Sequence, residues 1–174
     1  MQVPPPLPEA YAMEIVYSEE NLRIQVFEDG AKTRTELHSP PGSTVVKIRR
    51  RDKGVEWSVF PDTNTYSTEK FPQESMPEGP DEYLENLMRQ EWIPDGEERI
   101  DGKKCLKFIG RFLNSLLCNA DGKTVCYVDI QSGHRLRELT YDKDENVTMT
   151  THYSIGLPRE DLFELPAGCK EIQQ

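Results

Sequence analysis

The chain has 174 residues, enough for one domain with a real core, but only 36% of them are hydrophobic, which points to a thin core: one sheet under a partial cover. With 31 acidic against 21 basic side chains and a formal net charge of −10, the composition argues against nucleic acid or an anionic membrane as the main partner. No apolar run approaches the ~18 residues of a membrane-spanning helix.

Residues 1–10, with Pro4, Pro5, Pro6 and Pro8, read as a Pro-stiffened tether ahead of a single domain over 11–174. No signal peptide is visible, and the leader has two readings: what remains after a trimmed secretion or lipoprotein signal, or the native start of a protein with a loose tail. Tyr11–Tyr17 then alternates Met13, Ile15 and Tyr17 against Ala12 and Glu14, the period of a strand wet on one side. Leu22, Ile24 and Val26 repeat the pattern up to the Glu28-Asp29-Gly30 turn. Lys32–His38 is polar at nearly every position, with Leu37 the exception.

After the Pro40-Pro41-Gly42 turn comes a hairpin. Val45–Arg51 is a β-branched, basic strand, Asp52-Lys53-Gly54 turns, and Val55–Pro61 returns with Val55, Trp57 and Val59 on one face. Pro61-Asp62-Thr63-Asn64 turns again into Thr65–Phe71. Pro72–Pro80 is a loop. Asp81 is a good N-cap for a helix over Asp81–Gln90, whose Tyr83, Leu84, Leu87 and Met88 form an apolar stripe, closed by Trp92-Ile93-Pro94. Such a helix lays its stripe on the sheet, over the face that carries Trp57. Strands resume at Glu97–Ile100, Lys104–Phe112 (with Leu106, Phe108 and Phe112 on one face), Val125–Ile130, His134–Tyr141 and Val147–Ile155, before the apolar anchor Leu162-Phe163-Glu164-Leu165-Pro166. The fold class is mainly β (α+β): a strongly curved antiparallel half-barrel sheet of about ten or eleven strands covered by one or a few helices.

Motifs for chemistry are sparse. His38, His134 and His152 are isolated, and no H-E-x-x-H, G-x-S-x-G or phosphate-cradling loop occurs, so no catalytic residue, metal or cofactor is implied. Cys105, Cys118, Cys126 and Cys169 are too irregularly spaced for zinc; their even number leaves disulfides and free buried thiols both open. Asp142–Asn146 lacks the Gly and distal Glu of a calcium loop.

Several pieces together resemble the LolA-like superfamily of bacterial envelope proteins, and within it the uncharacterised lipoprotein-like members. They are Arg51-Asp52-Lys53-Gly54-Val55 with Trp57, Pro61 and Tyr66; Ile100-Asp101-Gly102-Lys103-Lys104-Cys105 with Lys107-Phe108; Tyr127-Val128-Asp129 with Gly133 and Arg135; and Leu162–Gly168. The resemblance implies a half-open curved sheet wrapped around one or more helices, a monomer secreted across the inner membrane to the periplasm or outer membrane, and no enzymatic activity. It also implies a space between sheet and helix that takes a lipid or a lipoprotein acyl chain.

From the residues, Trp57, Val59, Leu84, Leu87, Met88 and Phe108 line the volume between sheet and helix. That volume is either an ordinary closed core or a hydrophobic groove for an acyl chain or apolar peptide. A different reading makes the chain an envelope interaction or sensor domain that recognises a partner protein through strand edges or the basic run Arg49–Arg51.

Overall fold

The computed structural model describes residues 2–71, 90–112 and 122–172. Twelve strands run through them: β1 (Ala10–Tyr17), β2 (Leu22–Asp29), β3 (Lys32–Ser39), β4 (Ser43–Arg50), β5 (Val55–Phe60), β6 (Thr65–Lys70), β7 (Gln90–Ile100), β8 (Lys103–Phe112), β9 (Lys123–Asp129), β10 (Arg135–Tyr141), β11 (Val147–Ile155) and β12 (Lys170–Glu171). The mainly β class read from the alternation is the class found. The helix expected over Asp81–Gln90, with Leu84, Leu87 and Met88, lies outside the described residues up to position 89, and Gln90 already belongs to β7.

The chain divides into two compact units, one of Pro8–Met76 and Ser154–Gln174, the other of Met1–Leu7 and Pro77–Tyr153. In the first, the strand order is β12-β6-β5-β4-β3-β2-β1, antiparallel except for the short parallel pairing of β12 with β6. The hairpin turn expected at Asp52-Lys53-Gly54 is a 3-10 turn over Arg51–Lys53, which Gly54 ends at φ 63°, where a side chain would be strained. Asn64 plays the same part after Pro61–Thr63.

Val46 pairs with Val59 and Ile48 with Trp57, so these four share a face, and Val46, Ile48 and Val59 form a sealed cluster. Trp57 and Tyr66 pack against it from the sheet, and Leu165 and Cys169 from the C-terminal segment. That segment is held tightly. Phe163 has no exposed surface, its carbonyl accepts from Arg50 Nη1 at 3.3 Å, and Arg34 Nη1 donates to the carbonyl of Leu162 at 3.0 Å. Lys32 pairs with Glu160 at 2.6 Å, and Arg50 and Lys53 both reach Glu164.

The basic run closes β4, and its three guanidinium groups are paired within the unit. Arg49 pairs with the buried Glu56 at 2.7 Å, Arg50 is 5% exposed between Asp52 and Glu164, and Arg51 donates to the carbonyl of Gly30 and faces Glu28. β4 is also an interior strand.

In the second unit the order is β11-β10-β9-β8-β7. Phe108, Cys126 and Val128 form one sealed cluster, joined by Trp92 and Leu106; Cys105, Val125 and Tyr127 form another. The reading of Trp92-Ile93-Pro94 as the end of a helix is corrected: all three lie within β7, with Trp92 opposite Gly110 and Ile93 opposite Ile109. Large aromatic and β-branched side chains suit a strand, and Pro94 is tolerated because β7 ends the strand order and the register shifts between Pro94 and Glu97.

On β10 and β11 a half-buried polar group breaks the apolar face. Arg135 pairs with Glu138 at 2.7 Å and donates to the carbonyl of Pro5 at 2.7 Å, which ties the N-terminal stretch to this unit; Pro4 beside it is buried. Burial, with Glu138 nearby, pushes the Cys126 thiol and the Tyr153 hydroxyl well above their ordinary values. Cys105, Cys126 and Cys169 are free thiols, and Cys118 lies outside the described residues.

Candidate functional site

Side chains alternate across a strand, so the partners in each ladder decide which residues share a face. In the first unit the face opposite Trp57 carries a continuous apolar row. Ile15 stands against Ile24, Ile24 against Leu37, and Leu37 against Val45. Phe60 continues the row on β5, one residue beyond the Val46–Val59 pair. All five are half-buried, unlike the sealed Val46 and Val59 one position away on the other face.

Of the two rows on one side of this apolar row, the first changes character along the sheet. Met13 and Val26 extend the apolar surface on β1 and β2, but the same row becomes Thr35, Lys47, Ser58 and Ser67 on β3 to β6. The next row is polar throughout: Tyr11, Glu28, Thr33, Arg49, Glu56 and Glu69. Glu56, its side chain 7% exposed, holds Arg49 and Lys47 together. Burial raises the Glu28 carboxyl above its ordinary value, against the Thr33 hydrogen bond and the Arg51 and Arg49 charges; burial and Glu28 together push the Tyr11 hydroxyl up to about 12. On the other side of the apolar row Ser39 and Ser43 face each other, their hydroxyls 2.8 Å apart. On β3 and β4 the apolar strip is therefore one side chain wide.

At the β5–β6 end the strip runs into an open depression of about 550 Å³, lined by Val45, Phe60, Thr65 and Ile172 among others. Ile172 reaches it because β12 lies along β6 and the Ile172 amide donates to the carbonyl of Tyr66 at 2.8 Å. The volume falls within the range of ligand pockets. Among the described residues no group of three or more His, Cys, Asp or Glu side chains is placed to hold a metal.

Of the residues the sequence singles out for a groove, Trp57 and Val59 come together, on the face that Leu165 and Cys169 cover. Phe108 packs within the second unit, and Leu84, Leu87 and Met88 are outside the described residues. The strip residues Ile15, Ile24, Leu37, Val45 and Phe60 carry no motif of their own. Only the hydrophobic positions of separate strands, once registered, could have marked them.

Among solved structures the chain is similar to an uncharacterized conserved protein from Thermus thermophilus, at a TM-score of 0.56 and 15% identity, over 95% of this chain and 91% of that one. The chain shares its fold with that protein. It is also similar to LprF from Mycobacterium bovis (TM-score 0.49, 8% identity, 87% of this chain and 89% of that) and to the Mycobacterium tuberculosis lipoprotein LppX (TM-score 0.49, 10% identity, 84% of each). No protein-family model and no curated protein matches the sequence.

Proposed function

We propose that this chain is a non-catalytic binding protein of the bacterial cell envelope that holds a lipid, or the acyl chain of a lipoprotein, against its sheet. The observation that carries this reading is the row Ile15, Ile24, Leu37, Val45 and Phe60. Five apolar side chains on five successive strands are left half-buried in a protein with little hydrophobic residue to spare, while Val46, Ile48 and Val59 on the opposite face are sealed. Half-buried apolar surface arranged as a continuous strip marks an interaction site rather than scattered surface residues. The sequence resemblance to LolA-like envelope proteins supports the same class of ligand and an envelope location.

The geometry favours the face opposite Trp57 over the one beneath it. Trp57 and Val59 stabilise the protein by packing with the C-terminal segment, whereas none of the five strip residues is sealed. The basic run Arg49–Arg51 gives little to a partner-recognition reading, since all three guanidinium groups have partners within the unit.

Native mass spectrometry of the protein purified from a bacterial envelope after mild extraction, followed by displacement of a fluorescent fatty acid, tests the proposal. Co-purified lipid or displaceable probe is expected. A protein that carries no lipid and takes up no apolar probe would contradict it.

A further inference from the structure

Resting on the proposed function, we infer that the ligand is a single unbranched acyl chain of about sixteen carbons. It lies across the strands along Ile15, Ile24, Leu37, Val45 and Phe60, with one end in the depression beside Ile172.

Three features of the strip select this occupant. The first is width. On β3 and β4 the row is bounded by Thr35 and Lys47 on one side and by the Ser39–Ser43 hydroxyl pair on the other. One aliphatic chain fits between them. Two chains side by side would lie on hydroxyls and an ammonium group and strip them of water, which costs free energy that a single chain avoids. A helix, about 10 Å across with its side chains, would overlap the same polar residues.

The second is length. Strands lie about 4.8 Å apart, so the four steps from β1 to β5 cover about 19 Å. An extended chain of single bonds advances about 3.5 Å per three bonds, as the polypeptide backbone does, so about sixteen bonds span the row. The third is the end wall. The row opens at Phe60 into the depression of about 550 Å³, where Ile172 and Thr65 face a chain terminus with mostly apolar surface. The charged row lies four residues farther along the strands, so it runs beside the chain and not across it.

The test is a competition series in which straight-chain carboxylic acids of eight to twenty carbons, each below its micellar concentration, displace 11-(dansylamino)undecanoic acid from the full chain. Affinity is expected to rise roughly tenfold per two added carbons, the increment for burying two methylenes, up to about sixteen, and then to level off. Val45→Trp, which fills the middle of the strip at a half-buried site, should move the levelling point to shorter acids, and Leu37→Asp should weaken every acid at least tenfold while both variants keep the wild-type circular dichroism spectrum.

If no acid of any length binds, the proposed function fails and this inference with it. If acids bind but affinity rises without a break to twenty carbons, or levels off by ten, the inference fails while the function stands. If Val45→Trp and Leu37→Asp leave the series unchanged, the site is misplaced.

Discussion

Val45 and Val46 are neighbours in β4 with opposite fates, and substituting each by alanine tests the assignment of the two faces. Val46 is 3% exposed in the cluster with Ile48 and Val59. Removing its two methyl groups from a sealed site costs about 2 kcal/mol, from the lost transfer energy and the residual void. Against a total stability on the order of 5–15 kcal/mol that is a large fraction. Val45 is half-buried on the strip, so Val45→Ala should cost under about 1 kcal/mol.

Urea unfolding read from Trp57, in a Trp92→Phe background so that only this tryptophan reports, distinguishes the two. With a slope of about 2 kcal/mol per molar, Val46→Ala lowers the midpoint by roughly 1 M and Val45→Ala by less than half of that. Binding runs the other way: Val45→Asp abolishes fatty-acid displacement, whereas Val46→Ala keeps it. Equal losses of stability, or a larger one for Val45, would refute the division into a packed and a binding face.

Phe163→Ala empties a fully buried site under the C-terminal segment and should cost about 3–5 kcal/mol, seen as a lower urea midpoint together with a red shift of Trp57 emission as Leu165 and Cys169 loosen. The carboxyls of Asp52 and Glu164 are held below their ordinary values, Asp52 chiefly by the Arg50 hydrogen bonds and Glu164 first by Lys53 and then by Arg50. Their folded-state values are depressed, so the stability they add is complete above the unfolded-state value and is lost as pH falls through about 4 towards the folded value. Acid titration of Trp57 emission should show this loosening, and Glu164→Gln should flatten it. Cys126 is wholly buried and its thiol is raised by burial, so peptide mapping after maleimide treatment at neutral pH should find it unlabelled in the folded protein and labelled in urea.

The strands were legible because each carries a period-2 pattern bounded by turn residues, and Gly54 and Asn64 mark turns by the left-handed backbone they permit. Trp92-Ile93-Pro94 misled because a proline after apolar residues is the usual sign of a helix end, and only the pairing with β8 shows that a strand at the end of the order can carry it. The proposed binding face was harder to read. Alternation says that Ile15, Ile24 and Leu37 each face one way along their own strands, but not that they face the same way; that requires the register across five strands. Trp57 drew attention to the other side of the sheet from the proposed strip, since nothing in β5 tells that Leu165 and Cys169, more than a hundred positions later, will pack there.

The most direct test of the central claim is photolabelling with a diazirine-bearing hexadecanoic acid, with the insertion sites mapped by peptide mass spectrometry. Insertion concentrated on Ile24, Leu37, Val45 and Phe60 is the predicted result. Labels concentrated instead on Trp57, Val59 or Phe163, on the face that the C-terminal segment covers, would contradict it.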